Sequence, residues 1–268
     1  MSGETRIFGS SQPGEPGLFD FSFADILPFI LVGFAAQLVD GALGMAFGVI
    51  STTLLVSRGV DPAVASASVH AVEVFTTGAS GVSHTLHRNV NWRLFRRIVV
   101  PGIIGGILGA YVLTQISAAT ARPFVLAYLT AIGFYLLWRA LRHQQRHRNP
   151  RLVEPLGLVG GFLDAAGGGG WGPVVTSNLL AQGAHPRKVI GTVNTAEFFI
   201  ALTISATFLL SLQTEAFTMA MGGLLIGGLA AAPFGALVAK RLPARPLLVM
   251  VSIVLILTSA YGIWRALA

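Results

Sequence analysis

Five ionisable side chains lie away from the ends of long apolar runs: Asp40, His70, Glu73, Asp164 and Glu197. Each is costly at the centre of a bilayer, so each is expected to face protein or a wet cavity. Four of them pair by type at a shift of 124 positions, Asp40 with Asp164 and Glu73 with Glu197. A carboxylate taken out of water favours its neutral form, which would suit Glu73 and Glu197 to proton coupling; a permanently protonated Glu hydrogen-bonded to a neighbouring helix is the other reading. Asp40 and Asp164 stand just before glycines. They could coordinate a coupling cation, but accepting the free N–H groups of the returning half-helix, a hairpin cap, is the simpler job. His70 and Glu73 are three apart and share a helix face, as a metal-ligand pair would. Their counterparts are Asn194 and Glu197, so the shared feature is a polar group one turn before a Glu, and no metal site is expected.

His70 and Asn194 then serve as hydrogen-bonding residues lining a substrate site, together with Thr52, Thr176, Thr192 and Thr195. Around the two aspartates, Gly44 and Gly48 in one stretch and Gly168, Gly169 and Gly170 in the other leave backbone amides open. Helix N-termini of this kind hold an anion without any arginine, and plain close packing is the alternative use of the same glycines. Trp171 and its counterpart Phe47 either wall the cavity or fill a helix interface.

The elements that must position these residues follow from composition. The chain has 268 residues, 53% of them apolar and 11% charged, with a mean hydropathy of +0.72, which leaves too few polar groups to cover a soluble globule. The net charge of +7 comes from 18 cations clustered in short connections, a pattern that orients a membrane protein and does not suit a nucleic-acid partner. With no cysteine there is no thiolate site or disulfide framework, and no soluble-enzyme motif or cofactor signature is present.

Over residues 40–75 and 164–199, 11 of 36 positions are identical without a gap, against roughly two or three expected by chance, which marks an internal duplication. The pattern predicts an all-α polytopic membrane protein of two repeats, each a broken re-entrant helical hairpin plus three transmembrane helices. Residues 1–22 form a disordered tail, 23–139 the first repeat, 140–153 a basic cytoplasmic linker that contacts anionic lipid, and 154–268 the second repeat. A single helix over 24–57 would be about 51 Å long, too long for a core of about 30 Å, so a break is expected at Asp40-Gly41 and another at Gly167–Gly170. The basic connections 84–97, 139–151, 185–188 and 240–245 are expected in the cytoplasm, with both termini outside, so the two repeats are inverted copies.

The duplicated Gly-rich break, short apolar helix, Gly-x-x-Pro and polar-containing span, in residues 33–62 and 157–208, resemble the sulfite exporter family TauE/SafE over about residues 24–266. The resemblance implies an inner-membrane secondary carrier for small sulfur-containing anions, sulfite or organosulfonates, coupled to protons. It also raises a homodimer as an assembly, for which the glycine face Gly102, Gly105, Gly106 and Gly109 could pack on a partner chain or on a neighbouring helix. Gly44-Met45-Ala46-Phe47-Gly48 departs from the denser glycine cluster usual in that family. The alternatives are a cation or metal carrier using the intramembrane carboxylates and His70, and an intramembrane enzyme, for which no nucleophile and base are evident.

Overall fold

The structure, a computed structural model, describes residues 23–141, 150–212, 219–241 and 244–267, and among these every regular element is helical. The expected tail over 1–22 and most of the basic linker, with Arg142, Arg146 and Arg148, lie outside the described residues.

Helix α1 (Phe23–Leu43) is followed by a break at 44–46 and by α2 (Phe47–Ser57), α3 (Pro62–Leu86), α4 (Trp92–Thr114) and α5 (Ala118–Leu141). The chain resumes with α6 (Val153–Gly167), a break at 168–170, a π-helical turn (Trp171–Thr176) running into α7 (Ser177–Ala181), then α8 (Pro186–Ser211), α9 (Met219–Arg241) and α10 (Ala244–Leu267). Among the described residues α4, α5 and α8 are long and apolar enough to cross a membrane. At 25 residues α3 matches them in length but carries Ser66, Ser68, His70, Glu73, Thr76 and Thr77 on its buried side, as expected of a helix facing protein and not lipid.

The first break sits later than expected. Nothing at Asp40-Gly41 obstructs a helix, and α1 runs on to Leu43, where the chain turns at Gly44 with φ 65° and the Gly44 amide donates to the Asp40 carbonyl at 2.6 Å. Its counterpart Gly168 has φ 70°. The two breaks therefore occupy matched positions and share a left-handed residue that glycine adopts without strain. Ala46, by contrast, holds φ 145° and ψ −20°, a conformation that an L side chain rarely takes. Ala46→Gly is expected to raise the melting temperature by relieving about 1 kcal/mol of strain; an unchanged or lower midpoint in a thermal melt of the detergent-solubilised chain would refute this.

Each Gly-x-x-Pro is a helix stop followed by a start. After α2, Val60 N–H donates to the Leu55 carbonyl at 3.1 Å, and after α7, Ala184 N–H donates to Leu179 at 3.1 Å, the closure that a glycine past a helix end permits; Pro62 and Pro186 then open the next helices. The connection 84–97 is shorter than its charges suggested. Asn91 caps α4 by accepting from the amides of Arg93 and Leu94 at 3.1 and 3.2 Å, so Arg93, Arg96 and Arg97 stand in its first two turns.

The principal packing partners lie in opposite halves of the chain: α1 on α9, α4 on α6, α3 on α8 and α5 on α10. The glycine face of α4 is used up here. A Cβ on Gly105 would stand 2.0 Å from the Leu158 carbonyl oxygen of α6, and one on Gly106 would meet Ile204 of α8 at 2.8 Å, so this face packs within the chain and is not open to a partner copy. Outward-facing Val100, Ile104, Leu108, Phe124, Phe134 and Leu209 give α4, α5 and α8 an apolar exterior, with Trp92 and Trp138 at one end and Tyr111, Tyr261 and Trp264 at the other. Aromatic side chains at both ends suit the two interfaces of a bilayer. The basic connections around Asn89 and Arg187 meet at one end, where Arg187 donates to Asn89 Oδ1 at 2.5 Å and Lys188 to the Arg88 carbonyl at 2.7 Å. At the other end Arg122 donates to the Gly59 carbonyl at 2.7 Å and Arg58 lies over the Phe29 ring at 5.8 Å.

Candidate functional site

The two breaks interlock at the middle of the molecule. Thr52 of α2 donates its hydroxyl to the Gly168 carbonyl, and Thr176 of the π-helical turn donates to the Gly44 carbonyl at 3.2 Å. These two bonds exchange under the 124-residue shift. The backbones meet without side chains between them: a Cβ on Gly48 would lie 3.0 Å from the Gly169 Cα, and one on Gly172 would lie 2.6 Å from the Met45 Cα. Gly44, Gly48, Gly168, Gly169 and Gly170 are all buried in this contact. The glycines serve close packing in this state.

Both aspartates cap across their breaks. Asp164 Oδ1 accepts from the amides of Gly170 and Trp171 at 2.7 and 2.9 Å, and Asp40 Oδ1 accepts from Phe47 at 3.4 Å. The amides at the second tip that an anion would use are therefore held by a carboxylate of the chain itself. From α3, His70 Nε2 approaches Asp164 Oδ2 at 3.2 Å, while its Nδ1 lies 2.7 Å from the Ser66 carbonyl. Neither Ser66 nor Tyr128 stands out in the sequence. Ser66 also donates to the Ala165 carbonyl at 2.8 Å, and Tyr128 of α5 donates to the Gly169 carbonyl at 3.2 Å with its ring against Gly167.

Glu73 presses against the first break, with Oε1 3.0 Å from where a Gly48 Cβ would sit, and His70 Nε2 is 3.9 Å from its Oε2. Glu73 Oε2, Asn194 Oδ1 and Glu197 Oε2 are buried with no hydrogen-bond partner, in residues exposed by only 3%, 1% and 6%. Asn194 faces the first break as His70 faces the second, its Nδ2 3.5 Å from a Cβ built on Gly44. Asp40, Glu73, Asp164 and Glu197 interact electrostatically through the buried centre. Three side chains fall outside this group. Trp171 is wedged against Gly102 and Gly160 with its ring N–H donating to the Val193 carbonyl at 3.2 Å, a packing position. Thr192 accepts from the Asn91 amide at 2.8 Å at the basic end, away from the tips, and Thr195 donates to the Gly191 carbonyl of its own helix at 2.7 Å. Among the described residues no three His, Asp or Glu side chains are arranged to hold a metal ion.

Comparison with known proteins identifies the family. The profile of the family described as "Sulfite exporter TauE/SafE" matches residues 29–262. The Bacillus subtilis (strain 168) protein named "Probable membrane transporter protein YtnM" is 44% identical over 244 residues, covering 88% of this chain and 81% of that protein. No solved structure matches the chain with significance. A match over most of the length, together with apolar helices of bilayer length around a buried polar centre, places the chain in the sulfite exporter TauE/SafE family, as a membrane transporter and not an enzyme.

Proposed function

We propose that the chain is a proton-coupled secondary carrier for small sulfur-containing anions, sulfite or organosulfonates, in the inner (plasma) membrane. The reading has two inverted repeats, hairpins 23–57 and 153–181 entering from opposite faces, and both termini outside. The exchanged Thr52–Gly168 and Thr176–Gly44 bonds support the repeat. The inversion is supported by where the hairpins close: the first at the Gly59 end, with Arg58 over Phe29, and the second at the basic end, with Arg151 N–H on Gln182 Oε1 where Pro150 and Gly183 meet Asn91.

The observation that carries the proton coupling is the set of three unpartnered buried oxygens on Glu73, Asn194 and Glu197 beside the tips. An anion next to ionised carboxylates is repelled, but a protonated carboxyl is a hydrogen-bond donor to it, so anion and proton move together. Substrate enters when the tips separate and the amides of Phe47, Gly170 and Trp171 exchange their aspartates for the anion.

Flux of labelled sulfite and of a panel of small sulfonates into proteoliposomes, with and without an imposed pH gradient, tests the reading. Flux is expected to follow the gradient in the parent and to lose that dependence in the Glu73→Gln, Glu197→Gln double variant. Absence of anion flux in well-folded protein whose melting temperature rises with a divalent metal would select the cation carrier instead.

A further inference from the structure

The His70 ring admits only one arrangement of its protons. The Ser66 carbonyl 2.7 Å from Nδ1 is an acceptor only, and the Ser66 hydroxyl, 3.3 Å from the same nitrogen, spends its hydrogen on the Ala165 carbonyl. Nδ1 therefore carries a hydrogen. That leaves Nε2, in a neutral ring, with a bare lone pair, and it faces Asp164 Oδ2 at 3.2 Å and Glu73 Oε2 at 3.9 Å. Two acceptors at hydrogen-bond distance in a buried site repel unless a proton lies between them. It cannot sit on Asp164 Oδ1, which already accepts two amides.

We propose that His70 and Asp164 form a proton-binding site of their own, distinct from the Glu73 and Glu197 pair: one proton held between Nε2 and Oδ2 fastens the 168–170 break to α3 and keeps the Gly170 and Trp171 amides occupied. When the proton leaves to water, the Nε2 lone pair faces an ionised carboxylate. Asp164 is then pushed from the ring and the second tip loosens. His70 is a positioning residue in this scheme, acting on the tip through Asp164. The groups facing the pair are Glu73 on its own helix, Asp40 on α1, Glu197 on α8 and the Tyr128 hydroxyl on α5, through Gly169. All four are neutral or acidic, so among the described residues no cation faces the pair.

The proton site itself depends neither on the proposed substrate nor on the coupling assigned above to Glu73 and Glu197. The test therefore uses no substrate. Full-length protein in detergent, labelled with 15N-histidine, is compared with His70→Gln, which identifies the His70 signals, and with Asp164→Asn. At neutral pH the parent is expected to show both His70 nitrogens protonated, or else a carboxylic-acid infrared band that Asp164→Asn removes. In Asp164→Asn the side-chain amide donates to the ring, so Nε2 is expected to lose its proton. A bare Nε2 in the parent with no such band overturns the site.

Hydrogen exchange of peptides covering 164–176 reads the fastening. Corrected for the intrinsic rate, exchange in the parent is expected to rise about tenfold as the pH is raised across the range in which the protein stays folded. It is expected to stay flat in both variants, where a non-titrating amide makes the same bond. A flat parent profile overturns the proposal, and so does an equal rise in Asp164→Asn, which retains the cap without the carboxylate. Sulfite flux that fails while these signatures appear would sink the carrier and leave the proton site standing.

Discussion

Asp164→Ala is expected to lower the melting temperature of the full-length protein far more than Asp40→Ala, although the two residues are repeat-matched. Removing the Asp164 carboxylate strips the acceptor from two buried amides, Gly170 and Trp171, and the partner from His70 Nε2. Each of the two orphaned amides costs about 1–3 kcal/mol, so a loss of about 2–6 kcal/mol is expected before the lost contact with His70 is added. Asp40 serves one amide, Phe47, at 3.4 Å, and its loss is expected to cost about 1 kcal/mol. Asp164→Asn keeps an acceptor for the amides and a donor for the ring, and should recover most of the stability. Thermal melts of the three variants, with size-exclusion profiles, decide the matter. Equal losses for the two alanine variants would mean that the second cap contributes no more than the first.

That asymmetry also marks how far the sequence reaches. That an aspartate before glycines can accept backbone amides was legible, because the chemistry is local. The reach of the cap was not: each carboxylate accepts from an amide seven residues on, across a break, and no short capping motif has that spacing. The first break was misplaced to Asp40-Gly41 because composition marks a weak point in a helix but not which glycine adopts the left-handed turn, here Gly44. Charge obscured the start of α4. Three arginines suggested a connection, yet the Asn91 cap tolerates them in the first two turns at the membrane end. Ser66 and Tyr128 were invisible for a different reason, since their partners lie 99 and 41 residues away, and neither residue has a repeat counterpart of its own type. The buried polar centre was legible because bilayer physics makes any intramembrane charge conspicuous.

The close crossings of helices from opposite halves are what hold that centre, and they allow a graded test. A Cβ on Gly105 would stand 2.0 Å from the Leu158 carbonyl oxygen, one on Gly161 2.1 Å from Gly102 oxygen, and one on Gly227 2.0 Å from Ile30 oxygen. Each obstacle is backbone, so no rotamer change relieves the overlap, and α4 must withdraw from α6, or α9 from α1. Gly105→Ala, Gly161→Ala and Gly227→Ala are each expected to cost about 1–3 kcal/mol, and Gly105→Leu to prevent assembly of a monodisperse protein. Gly222 on α9 is the control: the nearest atom to its Cβ position is Ile26 Cδ1 at 4.0 Å, and alanine there should be neutral or stabilising by up to about 1 kcal/mol through helix propensity. The first two crossings have a functional arm as well. Helix α6 carries Asp164, and α4 holds α6 at backbone distance, so moving α6 outward draws the carboxylate from His70 on α3. Gly105→Ala and Gly161→Ala should therefore loosen exchange protection over 164–176, whereas Gly227→Ala, which displaces α1, should spare it. Loss of protection shared equally by all three would mean that the two hairpins move as one body and that the α4–α6 crossing has no privileged hold on the second tip.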